Sequence, residues 1–307
     1  MKSTINNETL LTALEAWNLP EPLAIHQLES GFTSEVWLVE AKGKRFIAKY
    51  AYQSQEDFEG GLYAAELAEQ YGIPSSAPLR TREGALSILV EGPHGKGEPL
   101  ALLHFVAGEP LHPSEPDAAS LYGHLLGRIH RIFLDGVGEK YIAHLFDFLL
   151  GEDPDVAAQP GLARLIHRTV EATRNYESHH TVTYGVIWGD RMEIVRERET
   201  GHVGVIDWGT IQYGPLLFDV ALVALWLFPE ESSAYEKFLQ AYLEEAPISE
   251  SELAGLDYYK ALLWARQAKY FAYRVAAHVM LGDANPDGNI ENLTRSRQEL
   301  EHLLDIM

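Results

Sequence analysis

The sequence predicts an α+β protein with a small β-rich N-terminal lobe over residues 1–106 and a larger, mainly helical C-terminal lobe over 107–307. Three observations lead there. The first hundred residues alternate short runs of β-branched and aromatic residues with turn-like segments. Beyond Val106-Ala107-Gly108-Glu109-Pro110, apolar residues recur at helical spacing over long stretches. The convincing β segments of that second part flank two aspartates, Asp190 and Asp207.

In chain order, Ala24–Leu28, Glu35–Val39 and Arg45–Tyr50 read as strands, and the polar turn Ala41-Lys42-Gly43-Lys44 joins the last two into a hairpin. Asp57–Tyr71 carries Leu62, Ala65, Leu67 and Ala68 at helical spacing and stops at Gly72, with Pro74 just beyond. Short strands near Ala85–Val90 and Leu100–Phe105, separated by the turn-forming Gly92–Gly97, complete the first lobe. Helices are expected over Ala118–Phe133, Ala163–Tyr176, Ala234–Leu243 and Glu250–Met280, and strands over Gly185–Trp188, Glu193–Arg196 and Val203–Ile206.

At 307 residues and 46% hydrophobic content, the chain is long enough for each part to bury a core. Acidic residues number 45 against 24 basic ones, a formal charge of −21. That charge disfavours a nucleic-acid backbone or an anionic membrane surface as partner and suits a small-molecule, cationic substrate. The absence of cysteine excludes disulfides, thiolate catalysis and cysteine-bound zinc. The 13 histidines are scattered without metal-binding spacing. The N-terminal segment lacks the apolar run of a leader or membrane span, so the expected location is cytoplasmic.

Chemistry concentrates in four places. Gly31-Phe32-Thr33-Ser34, between two strands, has the small residues that let backbone N–H groups and hydroxyls approach a phosphate, and an ordinary turn has them too. Lys49 lies within the apolar strand Phe46–Tyr50, where an ammonium either faces solvent or reaches a buried anion. It follows the glycine turn at the place of a phosphate clamp. Two strands then deliver Asp190 in Trp188-Gly189-Asp190 and, seventeen residues on, Asp207 in Ile206-Asp207-Trp208-Gly209. Phosphoryl transfer uses such a pair: one carboxylate takes the proton of the attacking hydroxyl, and the other holds magnesium against the nucleotide phosphates.

In that order the set resembles the aminoglycoside phosphotransferase and choline kinase-like family, small-molecule kinases with a protein-kinase-like fold. The resemblance spans most of the chain. It implies ATP or GTP and Mg2+ as cofactors, with Gly31, Thr33, Ser34 and Lys49 on the phosphates and Leu102–Val106 as an interlobe hinge, contributing His104 and Val106. It further implies Asp190 as catalytic base, Asp207 as metal ligand, Leu121–His130 as a helix before the catalytic loop, and Asp219 in Phe218-Asp219-Val220-Ala221 as the brace of that loop.

Three departures bear on activity. The family's His-Gly-Asp reads Trp188-Gly189-Asp190, and the asparagine expected five residues after the base is Val195 by direct count. Counting back from Asp207 across the hairpin places Met192 there with Glu193 adjacent, a loop about three residues short. Either Glu193 replaces the asparagine as a metal ligand, which oxygen-seeking magnesium accepts, or the second metal contact is lost. The helix glutamate that pairs with the strand lysine counts out at Leu62, leaving Glu59 or Glu66 one turn to either side. The expected function is a nucleotide-dependent phosphotransferase acting on the hydroxyl of a small, aminoglycoside-, choline- or homoserine-like molecule. The alternative is a non-catalytic nucleotide- or metabolite-binding member of the same fold. Aromatic residues from Tyr258 to Tyr273 either pack the core or face an ammonium group.

Overall fold

The computed structural model describes residues 5–21, 23–28, 34–92, 97–136, 142–277 and 287–307. The chain is mixed α+β, with sheet in the N-terminal region and helices in the C-terminal region. It opens with α1 (Asn7–Leu14), β1 (Leu23–Gln27), β2 (Ser34–Ala41), β3 (Lys44–Ala51), α2 (Gln55–Gln70), β4 (Pro78–Leu79), β5 (Ile88–Glu91), β6 (Gly97–His104) and β7 (Glu109–Pro110). There follow α3 (Ala118–Gly136), α4 (Leu145–Leu150), α5 (Pro154–Ala157), α6 (Leu162–Glu177), β8 (Tyr184–Ile187), β9 (Glu193–Arg196), β10 (Val203–Ile206) and β11 (Gln212–Pro215). The chain closes with α7 (Leu217–Trp226), α8 (Ser233–Glu245), α9 (Leu256–Ala276) and α10 (Asp287–Ile306).

Two compact units result, and their boundary is not a single cut. The first comprises Met1–Glu115, Asp135–Ile142 and Met192–Ile211, and the second Pro116–Leu134, Ala143–Arg191 and Gln212–Met307. A division at 106/107 therefore separates Glu193 and Asp207 from the unit in which they are packed. Hydrogen bonding explains the grouping: β7 pairs with β9, and Val205 N–H donates to Pro74 O at 2.9 Å.

In the first unit, β1, β2, β3, β6 and β4 follow one another across a sheet, with β5 also on β6. The β2–β3 hairpin turns at Lys42 and Gly43, whose φ values of 46° and 76° suit the twist of an antiparallel pair. Alternation then separates two faces. Trp37, Val39, Ala41, Phe46, Ala48 and Tyr50 bury against Leu10, Leu14 and Trp17 of the N-terminal segment. Each large side chain buried this way contributes roughly 1.5–3 kcal/mol. Trp17 also donates Nε1–H to Leu79 O at 2.7 Å. Lys49 belongs to the opposite face.

Helix α2 begins where Ser54 Oγ accepts from Asp57 N–H at 3.1 Å, with Glu56 and Asp57 favourably placed in its first turn. Its Gly61 is required by contact: a Cβ there would lie 2.4 Å from Trp208 O. A second three-stranded sheet, ordered β10-β9-β7, completes this unit.

In the second unit, α9 packs against α10, α7 and α6, and β8 pairs antiparallel with β11. The predicted helix over Glu250–Met280 is corrected. Glu250–Gly255 is a 3₁₀ segment opened by a capping box at Ser249 and Glu252, α9 ends at Ala276, and 278–280 lie outside the described residues. Gly255, where the two segments meet, is in close contact: a Cβ there would meet the Tyr176 ring at 2.5 Å. Among the described residues, no helix is long and apolar enough to cross a membrane.

Candidate active site

The first unit holds a cavity of about 500 Å³. Alternation along β3 aims Ile47 and Lys49 at it, and Val36 of β2, Leu62 of α2 and Leu103 of β6 add an apolar wall. The size and the mostly apolar lining with a few charged groups suit a small organic ligand.

Asp207 enters this cavity from the end of β10 with φ at 59°, a left-handed conformation that aspartate tolerates better than most residues. Lys49 Nζ donates to its Oδ1 at 2.6 Å, the lysine side chain being 14% exposed and the aspartate 47%. Burial opposes ionisation of Asp207, but the Lys49 ammonium and the Gly209 N–H outweigh it and hold the carboxyl below its ordinary range. Glu193 stands directly across the β9–β10 ladder from Ile206 and also lines the cavity, whereas Met192 is buried.

His104 and Val106 line the cavity, and Val106 packs so closely on Gly204 that a Cβ there would lie 2.4 Å from its Cγ1. The His104 ring is held by Glu69, Nδ1 to Oε2 at 2.7 Å. Ser34 lines the cavity too, while Gly31 and Thr33 lie outside the described residues.

Glu66 is the residue the structure places elsewhere. Its carboxylate takes two hydrogen bonds from Arg80, from Nε at 2.9 Å and Nη2 at 2.6 Å. Glu59 accepts from Ser87 Oγ at 2.6 Å and from Gln55 Nε2 at 3.1 Å. Neither pairs with Lys49, whose partner is Asp207, because the α2 position turned toward the cavity carries Leu62.

In the second unit, β8 leads to Trp188, Gly189 and Asp190. Trp188 is buried and Asp190 exposed, with Oδ1 accepting from Arg191 N–H at 2.7 Å. Gly189 has φ at 72°, so the chain turns there without the strain a side chain would bring. Asp219, in the first turn of α7, accepts from Trp188 N–H at 2.6 Å and Gly189 N–H at 3.1 Å. His130 of α3 is fully buried beside it, Nε2 to Asp219 Oδ2 at 3.1 Å and Nδ1 to Tyr242 OH at 2.9 Å. The neutral Nε2–H tautomer satisfies both contacts, with Tyr242 donating its hydroxyl proton. Burial, with Asp219 nearby, keeps that phenol protonated well beyond the ordinary range.

Sequence reasoning took Asp219 as a brace but missed His130 and Tyr242 as its supports. The available signal was a histidine ending an otherwise apolar helix face, Leu125-Leu126 to Ile129-His130. Of the aromatic run on α9, Tyr259 is buried and holds Glu177 together with Tyr184, and Tyr258 stacks on Tyr176. Tyr270 and Tyr273 are exposed.

A sheet-bearing unit with a lysine–aspartate pair in a cavity, and a braced aspartate loop in a helical unit, define a phosphotransferase-like protein. The chain belongs to the phosphotransferase enzyme family, whose model matches residues 24–256. Its fold is that of amicoumacin kinase hAmiN, solved with AMP-PNP, Ca2+ and Ami, at 16% identity and a TM-score of 0.74 over 98% of this chain and 95% of that one. A microcompartment-associated aminopropanol kinase is similar at 13% identity and a TM-score of 0.66, covering 97% and 95%. The choline kinase LicA from Streptococcus pneumoniae is similar at 14% identity and a TM-score of 0.64, covering 96% and 98%. No curated protein matches the chain significantly in sequence.

Proposed function

We propose that this protein is a nucleotide-dependent kinase of small molecules, transferring a phosphoryl group to a hydroxyl. The observation that carries the reading is the 2.6 Å Lys49–Asp207 pair inside a cavity of nucleotide-binding size. Lys49, Ser34 and the neighbouring Gly31 and Thr33 bind the phosphates, while His104 and Val106 border the base and ribose end of the cavity. AMP-PNP in the amicoumacin kinase complex supports ATP over GTP as donor.

The residues present fit a divalent cation. Asp207 and Glu193 both line the cavity, and magnesium in kinase sites commonly takes one or two carboxylates together with phosphate oxygens. Among the described residues no cluster of three or more histidine, aspartate or glutamate side chains is placed to hold a metal, so phosphate oxygens are needed to complete the set. When bound, Mg2+ supplies charge neutralisation to the phosphates. Ca2+ in the amicoumacin kinase complex supports divalent-ion use. Glu193 on the cavity wall supports the catalytic reading over a non-catalytic one, which was motivated by the missing asparagine.

Asp190 orients the acceptor hydroxyl and takes its proton, on a loop held in register by Asp219. The acceptor belongs to the small polar alcohols, cytoplasmic metabolites or antibiotics. The test is magnesium-dependent nucleotide turnover against a panel of amino alcohols, hydroxy amino acids and aminoglycosides. Asp190→Ala is expected to lower kcat by about 10²–10⁴-fold. Turnover that is undiminished in that variant overturns the assignment.

A further inference from the structure

Among the described residues Lys49 has one anionic partner, and that partner is the carboxylate proposed to hold the metal. Its Nζ donates to Asp207 Oδ1 at 2.6 Å, from a lysine side chain only 14% exposed. Helix α2 offers the ammonium no alternative. The α2 residues on the cavity wall, Phe58, Gly61, Leu62 and Ala65, carry no charge. The helix's nearby carboxylates are committed elsewhere: Glu59 accepts from Ser87 and Gln55, Glu66 accepts from Arg80, and Glu69 holds the His104 ring.

The backbone keeps the pair together. Asp207 leaves β10 with φ at 59°, and Gly61 seats so closely on the next residue that a Cβ there would meet Trp208 O at 2.4 Å. A Cβ at Gly209 would lie 3.4 Å from Asp207 Oδ1 and 3.8 Å from Lys49 Nζ. The ammonium therefore sits against the Asp207–Gly209 turn, with uncharged side chains toward α2. An ammonium and a divalent cation compete for the same carboxylate. While Lys49 holds Oδ1, a second cation approaching Asp207 meets like-charge repulsion at short range and finds one oxygen already hydrogen-bonded. Nucleotide phosphates alter that balance, because they give the ammonium anions of their own.

We infer that Lys49 guards Asp207 against free divalent cations, so that the protein takes its metal as the metal–nucleotide complex, whose phosphates draw the ammonium off the carboxylate. This rests on the proposed phosphotransferase function and specifies the form of its donor. Lys49 then acts with opposite sign on the two ligands: it strengthens nucleotide binding and weakens binding of the bare ion. Leu62 is what makes the guard effective, since a carboxylate at that position would share the ammonium and leave Asp207 open.

The experiment titrates Mn2+ into the nucleotide-free full-length protein, followed by calorimetry and water-proton relaxation. Asp207→Asn identifies ions held elsewhere on this acidic chain, and only the Asp207-dependent binding is compared. Lys49→Met is expected to raise that affinity at least about tenfold, the scale of one charge-assisted hydrogen bond. Lys49→Arg, which keeps the cation, is expected to stay near wild type and guards against a folding failure of the first variant. The gain is expected to vanish in the double variant Lys49→Met with Asp207→Asn. Affinity for metal-free ATP should move the other way, falling in Lys49→Met, which a merely damaged cavity would not combine with tighter Mn2+ binding. Binding that is undetectable in wild type and measurable in Lys49→Met is the same gain. Mn2+ affinity that is unchanged, lowered or undetectable in both overturns the inference, and so does a gain that persists without Asp207. Because the Mn2+ titration contains no nucleotide, it separates this inference from the kinase reading. A gain in a protein that transfers no phosphoryl group supports the guard and defeats the kinase assignment, whereas unchanged Mn2+ affinity in an active kinase defeats the guard alone.

Discussion

Lys49 Nζ and Asp207 Oδ1 lie 2.6 Å apart although 158 residues separate them in the chain. The contact joins the central hairpin of the larger sheet to the end of β10, and it sets the ionisation of the carboxylate assigned to the metal.

Acid stability follows from that pair. Asp207 titrates below its ordinary range in the folded state, so its contribution is fully present above about pH 4 and is lost as pH falls through the lowered value. Urea midpoints measured from pH 6 down to pH 2.5 are expected to fall more steeply for wild type than for Asp207→Asn. Parallel curves would contradict the linkage.

Glu66 is expected to matter little to catalysis. Its two bonds go to Arg80 on a half-exposed surface, so Glu66→Gln should cost at most about 1 kcal/mol and leave the KM for nucleotide within about twofold. Lys49→Met should instead raise that KM at least about tenfold. Equal effects of the two substitutions would restore a lysine–glutamate pairing.

Gly61→Ala places a methyl 2.4 Å from the Trp208 carbonyl oxygen, and neither backbone can yield easily. The expected loss is about 1–3 kcal/mol in chemical denaturation, with nucleotide affinity falling alongside because Trp208 follows Asp207. Gly43→Ala, at an open turn with φ of 76°, tests strain without a clash. A smaller loss there, with affinity intact, separates the two causes.

Asp219→Asn exchanges a carboxylate that accepts from two backbone N–H groups and His130 for an amide with one acceptor oxygen. The loop holding Asp190 should shift, lowering kcat by roughly 10²-fold with nucleotide affinity preserved. Loss of nucleotide binding in step with kcat would argue for global unfolding instead.

Glu177 predicts the opposite pH trend to Asp207. Burial raises its carboxyl above the ordinary range, although Tyr184 and Tyr259 donate to it at 2.7 and 3.3 Å and partly counter the shift. Folded protein then holds that proton more tightly than unfolded chain, so stability declines as pH rises from about 4 through the raised value. Glu177→Gln should gain thermal stability relative to wild type across that window. A difference independent of pH would count against it.

The sequence by itself determined the α+β class, the hairpin at Lys42–Gly43 and the two aspartate-bearing strand ends. Those features are local: alternation of period two, glycine at positive φ and carboxylates at strand ends leave their mark in neighbouring residues. Tertiary structure decided the partners. Whether Glu59 or Glu66 reached Lys49 depended on the rotation of α2, which is set by Gly61 against Trp208 and turns Leu62 to the cavity. The grouping of 192–211 with the first unit came from β7–β9 pairing, a contact between distant segments with no local signature.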